Sequence, residues 1–161
     1  MNCNIIDTIS IDPILIEFNK IDKDIVWTNY LQGKQTGLQY KLNEDPWKSV
    51  VGKSQGNEFQ YSIINPFFKD TIFETLIKKY NLNRTRLMWV NPKSCYSLHV
   101  DKTPRIHIPL ITNPECYFLF NPGGIVHLPI NSVWWVDTTT QHTFLNCSDQ
   151  PRLHLVGVVK K

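Results

Sequence analysis

The chain has 161 residues, 42% of them hydrophobic and 19% charged, a composition that suits one domain able to bury a core without disulfide or metal staples. Its net charge of +3 is modest, and Lys78-Lys79 and Lys160-Lys161 are the only adjacent basic pairs, so no nucleic-acid footprint of stripe or cluster form is visible. No apolar stretch approaches the roughly 18 residues that a spanning helix needs, and Met1–Asp7 has no basic segment leading into a long apolar run, so no membrane segment or leader is expected and a cytoplasmic protein is.

The first sixty residues carry short apolar bursts at Ile14-Leu15-Ile16 and Ile25-Val26-Trp27, interrupted by Gly33, Gly37, Gly52 and Gly56. They read as a few short strands, one short helix after Asp12-Pro13 and long connections, forming an N-terminal covering segment. Residues 61–83 hold the clearest helix, Asp70 to Tyr80. There Thr71 and Glu74 have capping-box spacing, Ile72, Phe73, Leu76 and Tyr80 share a side, and Lys78-Lys79 favour the C-terminal end.

Residues 84–159 form a β core in which short apolar runs alternate with Asn-Pro, Pro-Gly-Gly and Asn-x-Ser turns. The expected strands are 85–90, 97–101, 105–111, 117–121, 125–128, 133–137, 142–146 and 152–159. Two antiparallel sheets with a helix braced against one is the architecture this pattern implies. Cys3, Cys95, Cys116 and Cys147 lie far apart with no Cys-x-x-Cys pair, and read as reduced thiols.

His99-Val100-Asp101 sets an imidazole and a carboxylate two residues apart, hence on one face of a strand. His142, on a strand about forty residues later, returns across the sandwich to the same mouth. Two imidazoles and a carboxylate form the facial triad that suits iron(II) and leaves positions for a bidentate 2-oxo acid and dioxygen. A structural zinc site would be closed by a fourth protein ligand, and none is placed to close it. Arg152 opens the last strand, where a guanidinium can pair bidentately with the far carboxylate of a dicarboxylate co-substrate.

The ordered set Arg84-Thr85-Arg86, Tyr96 to Asp101, Arg105-Ile106-His107-Ile108-Pro109-Leu110, Gln141-His142-Thr143 and Arg152-Leu153-His154 resembles the aspartyl/asparaginyl β-hydroxylase family. The resemblance covers roughly residues 60–159. It implies a mainly-β, double-stranded β-helix (jelly-roll, cupin-like) core with one or two flanking helices, and an Fe(II)/2-oxoglutarate-dependent dioxygenase. It further implies that His99, Asp101 and His142 hold iron, that Arg152 pairs with the 5-carboxylate of 2-oxoglutarate, that His107 contacts its other carboxylate, and that Arg105 holds an acidic group of the substrate. Tyr96, three residues before His99, is a candidate for the co-substrate pocket. Because Asp101 is present, the chain sits nearer the free-proline cis-hydroxylase branch than the animal peptidyl enzyme, which lacks that carboxylate.

The expected reaction is hydroxylation of an unactivated C–H of a small carboxylate-bearing substrate, an amino acid or amino-acid residue, with release of succinate and CO2. A peptidyl Asp/Asn-type hydroxylase is the alternative within the family, and a non-catalytic β-sandwich that binds a small acidic ligand or a metal is the alternative outside it. A metal-dependent isomerase or dioxygenase of cupin type is a third, disfavoured by the absence of a His-x-His-x-Glu run.

Overall fold

A computed structural model describes residues 2–54 and 56–159. In chain order the elements are β1 (Cys3–Thr8), α1 (Asp12–Ile21), β2 (Thr28–Tyr30), β3 (Gly33–Gly37), β4 (Gln39–Tyr40), β5 (Ile63–Ile64), α2 (Ile72–Lys79) and β6 (Asn83–Val90). There follow β7 (Ser94–Cys95), β8 (Arg105–Ile111), β9 (Cys116–Asn121), β10 (Gly124–His127), β11 (Ser132–Val136), β12 (Gln141–Asn146) and β13 (Arg152–Val158).

A large antiparallel sheet runs β1-β11-β8-β13-β6-β3-β2, and a smaller one runs β10-β9-β12-β7. Strands β4 and β5 make a separate ribbon. The two sheets face each other as the two walls of a mainly-β, double-stranded β-helix core.

Alternation along the central strands assigns opposite chemistry to the two faces of the large sheet. Leu87 of β6, Ile106, Ile108 and Leu110 of β8, and Leu153 and Leu155 of β13 share one core with Ile14 and Phe18 of α1 and Phe73, Leu76 and Ile77 of α2. Both helices therefore lie on that outer face. The inner face carries Arg86 and Met88 of β6, Arg105 and His107 of β8, and Arg152 and Val156 of β13, all of which line one cavity between the sheets. Beside it a second core of Val90, Phe118, Phe120, Val136 and Phe144 joins the sheets. Since β8 and β13 are covered on both faces, nearly every residue in them is buried.

The adjacent Trp134 and Trp135 divide accordingly, Trp134 against the core between the sheets and Trp135 against the helix side.

Three local expectations change. The segment 97–101 is not a regular strand. Only His99 forms a ladder pair, an isolated antiparallel bridge to His142, and the Asp101 amide turns to the Thr138 carbonyl at 2.8 Å. This chain edge has a partner strand on one side only, and Ser94–Cys95 alone is in regular register with β12.

Helix α2 lacks a capping-box bond from Thr71, whose hydroxyl donates instead to the Phe68 carbonyl. Glu74 accepts from the Asp70 amide, and Glu17 of α1 accepts from the Ile72 amide at 3.0 Å, so helix packing supplies one cap that local sequence does not.

Residues 1–60 also do more than cover the core, because β1, β2 and β3 supply both edges of the large sheet. Their short, glycine-interrupted runs gave little periodicity from which to read that pairing. Gly33 is required there: a Cβ at this position would lie 1.9 Å from the Trp89 carbonyl oxygen of β6.

Leu155 is fully buried at the centre of the large sheet, and Leu155→Ala is expected to lower unfolding stability by about 2–5 kcal/mol, measured by urea denaturation.

Candidate active site

A cavity of about 330 Å³ opens between the sheets, with the inner face of β6, β8 and β13 as one wall. Phe118, His142 and Phe144 come from the opposite sheet, and the segments around Gly52–Ser54 and Ser97–Lys102 border it. Exposed Leu31 and Val100 also line it.

His99, Asp101 and His142 meet here, with one ligand atom of each within 4.8 Å of the others. Reciprocal 2.9 Å backbone hydrogen bonds tie His99 to His142 and hold their rings at a centroid distance of 4.4 Å. The Nδ1 of His99 lies 2.8 Å from the Ser97 carbonyl, and that of His142 lies 2.9 Å from the Thr140 carbonyl. A carbonyl only accepts, so Nδ1 carries the proton in both rings and each Nε2 presents a lone pair. Burial pushes the His142 pKa down, and His99 adds to that effect against the raising hydrogen bond to Thr140. The neutral form that ligates a metal is thereby favoured.

Asp101 is oriented by Arg105, whose Nε lies 3.3 Å from its Oδ2. The same guanidinium forks onto Glu58 through Nη1 at 3.1 Å and Nη2 at 2.9 Å, and Nη1 also donates to the Thr103 hydroxyl. Arg84 reaches Glu58 from the other side at 3.0 Å. Burial pushes the Glu58 carboxyl up, but the Arg105 charge and hydrogen bonds, the Thr103 hydroxyl and Arg84 outweigh it and bring the pKa down to about 2. Arg105, expected to face a substrate carboxylate, thus has its donors directed at two protein carboxylates and a hydroxyl.

At the other end of the cavity Arg152 is buried with its guanidinium 3.2 Å from the Phe144 ring centroid. Its Nη2 contacts His154 Nδ1 at 2.5 Å, its Nε is buried with no hydrogen-bond partner among the described residues, and no carboxylate pairs with it there. Burial lowers its pKa to about 9. His107 is buried beside His154, with a 3.4 Å Nδ1–Nδ1 contact, and burial and Arg152 push its pKa well below the usual histidine value. The Tyr96 hydroxyl is buried in the same cavity and also lacks a partner among the described residues.

His154 itself is a buried neighbour of Arg152, and His127 bonds the Cys116 carbonyl, so both serve structure. The cavity therefore brings together all seven residues singled out from the sequence: His99, Asp101, His142, Arg152, His107, Tyr96 and Arg105.

The model of the aspartyl/asparaginyl beta-hydroxylase family matches residues 14–161. The chain belongs to this family. Comparison with curated proteins finds none similar in sequence.

Among solved structures, a 2OG-Fe(II) oxygenase family oxidoreductase from Burkholderia pseudomallei superposes with a TM-score of 0.62 at 11% identity, covering 98% of this chain and 83% of that one. HygX from Streptomyces hygroscopicus, solved with nickel, 2-oxoglutarate and hygromycin B, gives 0.55 at 9% identity, covering 96% and 81%. The viral collagen prolyl hydroxylase of Paramecium Bursaria Chlorella virus-1, in a 2OG complex, gives 0.52 at 12% identity, covering 99% and 97%. At these identities the likeness is one of fold.

Two parts of this family member's cavity received no role from the sequence. Arg84 and Arg86 were visible as a pair two residues apart, a spacing that puts both on one strand face, and both line the cavity. Glu58 gave no signal, since it sits in a single helical turn at residues 58–60 within a segment without a motif.

Glu58→Gln tests the clamp. The Glu58 pKa is depressed from 4.5 to about 2 in the fold, so its stabilisation is complete above pH 4.5 and disappears as pH falls towards 2. Acid-unfolding curves of Glu58→Gln should lack that part of the pH dependence, and the variant should be less stable than the parent at neutral pH because two buried arginines lose their shared anion.

Proposed function

We propose that this enzyme uses iron(II) and 2-oxoglutarate to hydroxylate a small carboxylate-bearing substrate, an amino acid or amino-acid residue. Membership of the hydroxylase family supports the class. One observation carries the assignment to this cavity: an open His-Asp-His cluster shares it with a buried guanidinium that has no anionic partner among the described residues.

The residues fit the two groups. Two imidazole nitrogens and one carboxylate form a three-ligand donor set for iron(II), with the rest of the coordination sphere facing the cavity. His142 and Phe144 are same-face neighbours on β12, roughly 7 Å apart along the strand, and Arg152 stacks on Phe144. That spacing suits a five-carbon dicarboxylate that reaches from the metal ligands to Arg152. The orphaned Nε of Arg152 is a donor awaiting such an anion.

Bound together, the metal and co-substrate supply the oxidising power for C–H hydroxylation by dioxygen, with succinate and CO2 as co-products. The protein positions and shields. His99 and His142 hold their Nε2 atoms towards the ion through the fixed Nδ1 protons, and Arg105 holds the Asp101 carboxylate in place. Arg152 receives the distal carboxylate of the co-substrate, His107 contacts its other carboxylate, the Tyr96 hydroxyl lines the co-substrate pocket, and Phe118 and Phe144 exclude water from the buried part. Among the described residues no helix is long and apolar enough to cross a membrane.

Anaerobic addition of iron(II) and 2-oxoglutarate should give the weak visible charge-transfer band of a 2-oxo acid chelate, and His99→Ala should abolish it. Arg152→Ala should raise the 2-oxoglutarate concentration for half-maximal succinate release about 10- to 100-fold, the cost of one charge-assisted bond. A folded protein that gives no band and releases no succinate with any amino acid or peptide would refute the reading.

A further inference from the structure

The cavity holds more positive charge than the metal centre and co-substrate use. Four guanidinium groups line it, those of Arg84, Arg86, Arg105 and Arg152, against two carboxylates, Glu58 and Asp101. A divalent metal and the 2-oxoglutarate dianion cancel, so beyond the exposed Lys53 and Lys102 at the border two positive charges remain in excess among these six groups. Buried charges are paired or else costly, and this excess calls for a further anion.

The hydrogen bonds single out where that anion belongs. Arg84 and Arg105 share Glu58, and Arg105 also pairs with Asp101. Arg152 lies at the aromatic end, where the co-substrate reading assigns it the distal carboxylate. Arg86 is different. It is 9% exposed, and it has no carboxylate partner among the described residues. Its Nη1 donates to the Val50 carbonyl at 2.7 Å and the Gly52 carbonyl at 3.2 Å, and its Nε contacts Met88 Sδ at 3.2 Å. Its Nη2 makes no hydrogen bond among the described residues. The backbone carbonyls thus fix the plane of the guanidinium and leave Nη2 as its unengaged donor in the cavity lining.

The sheet register keeps this group away from Arg152. Arg86 stands opposite Val156, which stands opposite His107 in the next strand, whereas Arg152 stands opposite Val90. Four residues of β13 separate the two rows, roughly 13 Å at the backbone. Burial lowers the Arg86 pKa to about 9, with Arg84 and Arg105 adding repulsion, so an anion there relieves a strained charge.

We propose that Arg86, and not Arg105, receives the carboxylate of the primary substrate, which makes it the residue that selects acids over their amides. This rests on the oxygenase reading, because that reading assigns Arg152 to the co-substrate. Arg105 is then a positioning residue for Asp101.

The test uses the full chain loaded with manganese(II), which does not turn over, and saturating 2-oxoglutarate, so that the metal and Arg152 are occupied. Thermal unfolding is followed as propionate, or propionamide as its neutral counterpart, is added. Propionate should raise the wild-type melting temperature and propionamide should not. In Arg86→Met the propionate response should weaken at least about tenfold in apparent affinity, and Arg86→Lys, which keeps the charge without the planar fork, should fall between. With any amino acid that supports succinate release, Arg86→Met should raise the KM for that acid and leave the co-substrate KM unchanged, while Arg152→Ala should do the reverse. An equal propionate response in wild type and Arg86→Met, no response in loaded wild type, or a rise in the co-substrate KM on Arg86→Met would overturn this assignment alone. If manganese(II) with 2-oxoglutarate fails to stabilise the wild type before propionate is added, both this assignment and the oxygenase reading fall.

Discussion

Glu58 is the anion around which the cavity is organised. Two guanidiniums, Arg84 and Arg105, close on it from neighbouring positions of the inner sheet face, and all three side chains are removed from water. Such an arrangement is not a large net source of stability, since desolvation offsets much of the attraction, but removing one partner strands the others. What the triad provides is position. Arg105, held by Glu58, presents its Nε to Asp101, so a carboxylate in the segment before the β core helps orient a member of the His-Asp-His cluster more than forty residues later.

The same contacts join the two walls of the site to its border. Arg84 and Arg86 donate to the carbonyls of Val50 and Gly52, so the segment that leads to Glu58 is pinned over the inner sheet face by two arginines. The border of the cavity thus combines backbone held by charged side chains with the exposed apolar side chains of Leu31 and Val100. Arg84, which shares Glu58 with Arg105, and Arg86 beside it tie that border to the network that holds Asp101.

The large sheet makes this possible by separating its two faces. Its outer face, buried under both helices, supplies the hydrophobic stabilisation of the fold. That leaves the inner face free to carry Arg86, His107 and Arg152, residues that would be expensive in a core with no other source of burial. His107 and His154 remain neutral there because burial and adjacent arginines disfavour a further positive charge.

Much of this was legible in the sequence, and for definite reasons. Alternation in Arg152-Leu153-His154-Leu155 announces a strand with one polar and one apolar face, and the order His99, Asp101, His142, Arg152 with its flanking motifs points to the family whose model matches the chain. The helix of residues 72–79 followed from its periodicity, though its capping did not, since Glu17 reaches it through tertiary packing. Period and residue type by themselves determined two antiparallel sheets and the candidate metal and co-substrate residues as expectations, and the family resemblance narrowed these to a double-stranded β-helix with an iron and 2-oxoglutarate site. Only the tertiary structure decided which arginines are already paired. A guanidinium looks the same in a sequence whether its partner is a buried Glu58, as for Arg105, or an open cavity, as for Arg86, because charge pairing depends on distances across the fold that no local pattern encodes.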